Sequence, residues 1–412
     1  MKKNLLYYIL HPDHLLVVLF TLLLMRILVS FALDLSFLNP VERSIENFHM
    51  TDVFYDIYKA GEEADTSDLI TIVDMTQVYD RDSMAYVLTE LDMMEPAVLG
   101  VDVIFHGMRD GQREQSAILL DAVRNITTPT VWAKKLDNWS EEEEQYKSTI
   151  HSFFSDSLEL NEGSINVHND LHGEAVRTIA TQRKAEGETS YSFPVKMAVA
   201  FYGDSSFLNY KEDINIRYTK TYFPVVPYDK LAENYDRISG HIVLLGGKTD
   251  PSDQRYTPLG LTSGVEILAY AVQTITERKM PREWSDRAIF LLSIFLMWVV
   301  QVMCYFTTQT MLGSRKKWIH DFAECDFAGS LLNIIVIFIL VGFSFYHFVH
   351  NNVYINMGWA IAGIAAMEFS RKLYFLLIAM CYSGLNIKWL KHSLAHRNWE
   401  ERQPYFQKFQ DK

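Results

Sequence analysis

Polar and apolar positions divide this chain into four apolar runs and one long stretch of mixed pattern. The first run, residues 14–33 (HLLVVLFTLLLMRILVSFAL), has about the 20 residues that a helix needs to cross hydrocarbon. Runs at 288–308 and 327–348 contain no Lys, Arg, Asp or Glu, which predicts two further membrane helices. A fourth, 353–370, ends where Arg371 and Lys372 begin; the apolar residues 374–386 behind them either prolong this helix or lie on the membrane surface. A cleavable signal peptide is the rival reading of the first run. Its apolar stretch is longer than a usual leader core and SFALDLSF is a poor cleavage site, so a retained anchor is expected.

Residues 34–286, between the first and second runs, read as a folded domain. Residues 69–73 are apolar, rich in Ile and followed by Asp74, the pattern of a buried strand. A helix follows over 83–94, with Ala85, Val87, Leu88 and Leu91 on one face and Pro96 beyond its end. A second strand is predicted over 98–105 (VLGVDVIF), a second helix over 114–123, and extended chain over 127–133. Strand and helix thus alternate, which predicts an α/β domain whose sheet is mainly parallel and covered by helices. Glu141 to Glu144 read as a solvated excursion without chemistry of its own. Strands are predicted again near Ile216 (IRYT) and from His241 (HIVLLGG), and 260–264 turn into a last helix, VEILAYAVQTI.

Charge sets the orientation. Lys2 and Lys3 precede the first run, Arg315, Lys316 and Lys317 lie in the loop 309–326, and Arg371, Lys372, Lys388, Lys391 and Arg397 follow the fourth run. Lys and Arg are retained on the cytoplasmic side, so residues 1–13 and the tail 371–412 are expected there, the tail in the cytoplasm or at the interface. The outer segment carries 23 Lys and Arg against 43 Asp and Glu, a formal charge of −20, within a chain of net charge −13. Such a domain repels nucleic acid, while the basic inner loops suit anionic lipid head groups. Cys304, Cys325 and Cys381 lie in or beside the membrane runs, so the outer domain has no disulfide and depends on its core.

The segments ITIVD, PAVLGVDVIF, NDLHGEAVR, FPVVPYDKL, ISGHIVLLGG, then Asp253 with TP, and SGVEILAYAV resemble, in order, the type-two CHASE (cyclase/histidine-kinase-associated sensory extracellular) domain. The resemblance covers roughly residues 68–276 and includes the three membrane helices that follow. It implies an extracytoplasmic sensory domain, commonly paired as a homodimer. Family members usually continue into a histidine kinase, a cyclase or a protein kinase; here the sequence ends at Lys412, and the expectation is that a separate partner protein responds.

Asp74 and Asp102 each fall at the end of a predicted parallel strand, where ligands gather in open α/β sheets. With Lys248, Asp253 and Arg255 after the later strand, they would line a mixed-charge crevice for a small polar ligand. The alternative is that these carboxylates cap turns and helices. His168, Asp170, His172 and Glu174 alternate in a pattern open to metal binding. The resemblance instead implies a turn, carried by Asp170, Gly173 and Arg177, and no metal or cofactor is expected. Within the membrane runs Arg26, Asn333 and Glu368 are the polar residues that stand out. Arg26 and Glu368 are candidates for pairing and Asn333 for a helix-to-helix contact. The aromatic and basic tail suits the membrane interface or a partner's groove. No GxSxG, HExxH, Walker or GxGxxG signature occurs.

These readings combine into a non-enzymatic, multi-pass sensor or receptor of the bacterial inner membrane, its acidic domain periplasmic and both termini cytoplasmic. A structural subunit of a cell-envelope complex is the alternative. An enzyme is the third reading and requires two converging acidic groups in perturbed surroundings.

Overall fold

The computed structural model describes residues 9–33, 52–55, 65–78, 80–107, 113–155, 157–167, 175–210, 213–219, 221–312, 316–324, 327–385 and 393–394. They form two compact units, one of residues 51–282 and one of residues 1–50 with 283–412.

The first unit is built on a nine-stranded, mostly parallel sheet. Its strands are β1 (Ile70–Asp74), β2 (Val98–Val101), β3 (Thr130–Ser140), β4 (Gln145–Ile150), β5 (Glu162–Ser164), β6 (Gln182–Ala185), β7 (Glu188–Tyr191), β8 (Val225–Pro227) and β9 (Ile242–Gly246). They run in the order β8-β1-β9-β2-β3-β4-β6-β7, with β5 on β3. From β8 to β3 all pairings are parallel, as is β5 with β3. Leu244 of β9 lies between Ile72 of β1 and Gly100 of β2.

Ile70 to Val73, all of β2 and all of β9 are buried, the signature of central strands covered on both faces. One face packs on α2 (Arg81–Met93) and α3 (Arg113–Asn125). There Val73, Leu99, Val101, Val243 and Leu245 join Val87, Leu88, Leu91 and Leu119 in one apolar cluster. Ala85, Val87, Leu88 and Leu91 are buried as their spacing predicts, and Asp80 caps α2 by accepting from the Ser83 N–H at 2.7 Å. On the other face lie α4 (Phe193–Tyr202) and α5 (Gly264–Thr276), with Phe193 and Met197 against Gly100.

Two predicted segments take another form. β2 stops at Val101, so Asp102 to Phe105 leave the sheet. Ile214–Asn215 is a two-residue strand, whereas Ile216 to Thr219 have no ladder. Here Tyr218 turns into the core, 1% exposed, and donates to the Val176 carbonyl at 2.7 Å. Glu141 to Glu144 form the exposed turn of the β3–β4 hairpin.

The second unit is helical: α1 (Pro12–Leu33), α6 (Asp286–Leu312), α7 (Lys317–Glu324), α8 (Phe327–Asn351) and α9 (Gly358–Leu385). Val17, Val18, Met297, Val300, Cys304, Leu340, Ala360, Ile364 and Met367, from α1, α6, α8 and α9, form its core. By length and composition α6 and α8 are able to cross a membrane. The fourth apolar run differs from its predicted bounds of 353–370. Val353–Tyr354 is extended, and α9 continues through Arg371 and Lys372 to Leu385, so residues 374–385 prolong the helix. Apart from Ser393 and Leu394, the tail beyond Leu385 lies outside the described residues.

Candidate functional site

Parallel pairing brings the carboxyl ends of β1, β9 and β2 to one sheet edge. Gly246 stands beside Asp74, and Leu245 beside Val101; just past β2, the Asp102 N–H donates to the Leu245 carbonyl at 2.8 Å. The two aspartates that the sequence places together have different surroundings. Asp74 Oδ1 accepts from the backbone N–H groups of Thr76 and Lys248, each at 3.0 Å, and from the Thr76 hydroxyl at 2.5 Å. Its Oδ2 accepts from the Thr249 hydroxyl at 3.4 Å. The Lys248 ammonium pairs with Glu266 in the first turn of α5. Asp74 and Lys248 therefore fasten the turn after β9, the capping role that was the alternative for them, and neither lines the cavity described next.

That cavity has a volume of about 550 Å³ and opens beyond the sheet edge. Asp102, His106, Lys135, Asp250, Asp253 and Arg255 give it charged and titratable groups, and Val103, Ile104, Ile165, Val167, Ile267 and Leu268 an apolar wall. Asp102 is half-buried. Burial first, and the neighbouring Asp253 carboxylate second, push its carboxyl well above the usual range. The Asp250 carboxyl is instead held low by accepting the Ser252 hydroxyl and N–H bonds, at 2.7 and 2.8 Å.

Local sequence explains how Asp253 arrives. Pro251–Asp253 is a single 3₁₀ turn that leads into β10 (Gln254–Thr257), paired with β11 (Gly260–Ser263), which feeds directly into α5. The Asp253 carboxylate lies against Gly264 at the start of α5, where a Cβ would stand 2.8 Å from Oδ1 and 2.9 Å from Cγ. Gly264 thus admits the carboxylate to a helix N-terminus, where the backbone dipole favours negative charge. Gly246 does the same for the helix itself: a Cβ there would meet Val265 Cγ2 at 2.9 Å and Asp102 Cβ at 3.3 Å. Arg255 of β10 donates from Nη1 to the Ser252 and Gln254 carbonyls at 3.3 and 3.1 Å.

Of the five ligand-binding candidates, then, the structure gathers Asp102, Asp253 and Arg255 and sets Asp74 and Lys248 apart. Sequence reasoning did not find His106, Lys135 or the apolar wall. Lys135 lies beyond the extended segment that the sequence predicts over 127–133, and His106 is placed by a distant contact, Arg81 Nη2 donating to its carbonyl at 3.0 Å.

Arg177 makes a two-pronged pair with Asp52, Nε to Oδ1 at 3.0 Å and Nη2 to Oδ2 at 2.6 Å. It anchors residues 52–55, whose Phe54 and Tyr55 are buried, a structural role. Asp170 and Gly173, with His168, His172 and Glu174, lie outside the described residues. Among the described residues no group of three or more His, Cys, Asp or Glu is placed to hold a metal ion.

The intramembrane candidates also separate. Asn333 of α8 donates to the Ile364 carbonyl of α9 at 3.2 Å and accepts from the Cys304 thiol of α6 at 3.3 Å, tying three helices. Glu368 pairs with Arg371 at 2.7 Å and lies 3.8 Å from Lys372, both on its own helix, whereas Arg26 is exposed on α1. The pairing of Arg26 with Glu368 is not made, because a cation one helical turn away needs no approach between helices.

An acidic α/β domain with a cavity at its strand ends thus lies in the chain between apolar helices, an arrangement consistent with membrane anchoring. The sequence model of the CHASE2 domain matches residues 17–303, from within α1 to within α6, and the chain belongs to the CHASE2 domain family. No curated protein and no solved structure matches it.

Proposed function

We propose that this protein is a non-enzymatic sensor of the bacterial inner membrane. α1, α6, α8 and α9 span the bilayer, and the CHASE2 domain binds a small polar ligand in the periplasm. The observation that carries the reading is the cavity floored by Asp102, outside the carboxyl ends of β1, β9 and β2, where open α/β sheets receive ligands. Residues 277–285 link α5, which helps line the cavity, to α6. A ligand that prefers one arrangement of the domain would bias α6 by no more than its differential affinity. A partner protein, with anionic lipid around the basic inner loops, would receive that bias, and a homodimer would present two such helices to it.

The test is a thermal-stability screen of polar metabolites on the full chain in lipid nanodiscs, repeated with Val103→Trp, which fills the cavity. Ligands that stabilise the wild type and not V103W are expected; a screen without any such ligand overturns the sensing reading. Crosslinking in native membranes followed by mass spectrometry tests the output. A kinase, cyclase or regulator would support the receptor, and envelope-assembly proteins alone would favour the scaffold.

The neighbouring carboxylates Asp102 and Asp253 give the enzyme reading its one supporting observation. The sensing reading expects the screen's ligands to be recovered chemically unchanged, whereas a converted ligand would favour the enzyme.

A further inference from the structure

Three features of the cavity bear on the chemistry of its occupant. First, among the described residues no hydrogen-bond donor reaches the Asp102 carboxylate, whereas Asp74, Asp80, Asp92 and Asp250 each accept backbone N–H groups or hydroxyls. A carboxylate at the floor of a half-dehydrated cavity without such donors is costly to ionise. Second, its neighbour is another acid, Asp253. That like charge adds to the cost of ionising Asp102, which a proton or a bound cation relieves. Third, Val103, Ile104 and Ile165 line the cavity and are only partly buried, so they offer apolar surface that a hydrated inorganic ion would leave unused and a hydrocarbon stem would cover. The domain's formal charge of −20 would also concentrate cations at its surface.

We infer that the cavity binds a small organic ammonium ion, its N–H groups donating to Asp102 and Asp253 and its hydrocarbon stem lying along Val103, Ile104 and Ile165. This deepens the sensing reading and rests on it. An ammonium supplies the donors that the Asp102 carboxylate does not receive from the described residues, and charge-assisted hydrogen bonds of this kind are the strong ones.

The experiment uses three four-carbon probes that differ in charge: 1,4-diaminobutane, 1,4-butanediol and succinate. Each is titrated calorimetrically into the full chain in nanodiscs, wild type and Asp102→Asn. The diamine is expected to bind, the diol and the diacid not to, and D102N to weaken diamine binding at least tenfold while its unfolding midpoint stays at or above the wild type's. Preference for succinate or the diol overturns the ammonium inference, as does equal diamine binding by D102N or no binding of any probe. If succinate binds and V103W abolishes it, the cavity remains a sensing site for another ligand class. If neither these probes nor the wider screen gives a ligand sensitive to V103W, the sensing reading falls as well.

Discussion

Asp74 ends β1 and Asp102 follows β2, on either side of β9, yet they carry opposite expectations for mutation. Because burial and Asp253 raise the Asp102 carboxyl, the folded protein holds a proton there that the unfolded chain has released. Stability should therefore fall as pH rises from the ordinary carboxyl range towards the raised value. Asp250, His106, Lys135 and Arg255 line the same cavity. D102N removes the ionisation. Without ligand, its unfolding midpoint should match the wild type below about pH 4 and exceed it at neutral pH; a lower midpoint at pH 7 would make Asp102 a structural residue. Replacing Asp74 should instead destabilise the fold, since it accepts two backbone N–H groups and a hydroxyl at 3.0 Å or less. D74A should cost about 2 kcal/mol by leaving those donors unpaired and leave ligand affinity nearly unchanged, as denaturation and calorimetry would show.

Among the elements, the start of α5 is tightly constrained. Replacing a helix glycine by alanine ordinarily gains about 1 kcal/mol. At Gly264 the added Cβ would enter the space of the Asp253 carboxylate, so Gly264→Ala should instead lower the unfolding midpoint and weaken ligand binding together. A raised midpoint would mean that Asp253 yields freely. In the helical unit, Asn333 joins α6, α8 and α9. Asn333→Ala should destabilise it by about 1 kcal/mol, read as a lower denaturation midpoint in detergent, whereas Arg26→Ala should have little effect. The elements themselves were largely legible. The burial of Val87, Leu88 and Leu91 follows from helical spacing, and that of β1 and β9 from continuous apolar runs. Less legible was the fourth apolar run. Arg371 and Lys372 looked like its end, but Glu368 neutralises Arg371 one turn away and α9 passes straight through.

At the scale of the whole molecule, the proposed orientation makes a direct prediction. With the native cysteines replaced, Glu142→Cys at the tip of the β3–β4 hairpin should react with a membrane-impermeant maleimide in intact spheroplasts. Lys317→Cys, at the start of α7, should react only after lysis. Labelling in the opposite order would reverse the orientation inferred from the basic loops. By itself the sequence determined the apolar runs, the parallel strands, the acidity of the intervening domain and the CHASE2 resemblance, because periodicity, charge and ordered motifs are written locally along the chain. Which aspartates share a cavity was decided only by tertiary structure. β9 enters between β1 and β2, and α5 then returns over the sheet edge. Those crossings bring Asp253 to Asp102 while Thr76, Lys248 and Thr249 occupy Asp74. A carboxylate's role depends on the donors and charges that the fold delivers to it, and distant segments supply them.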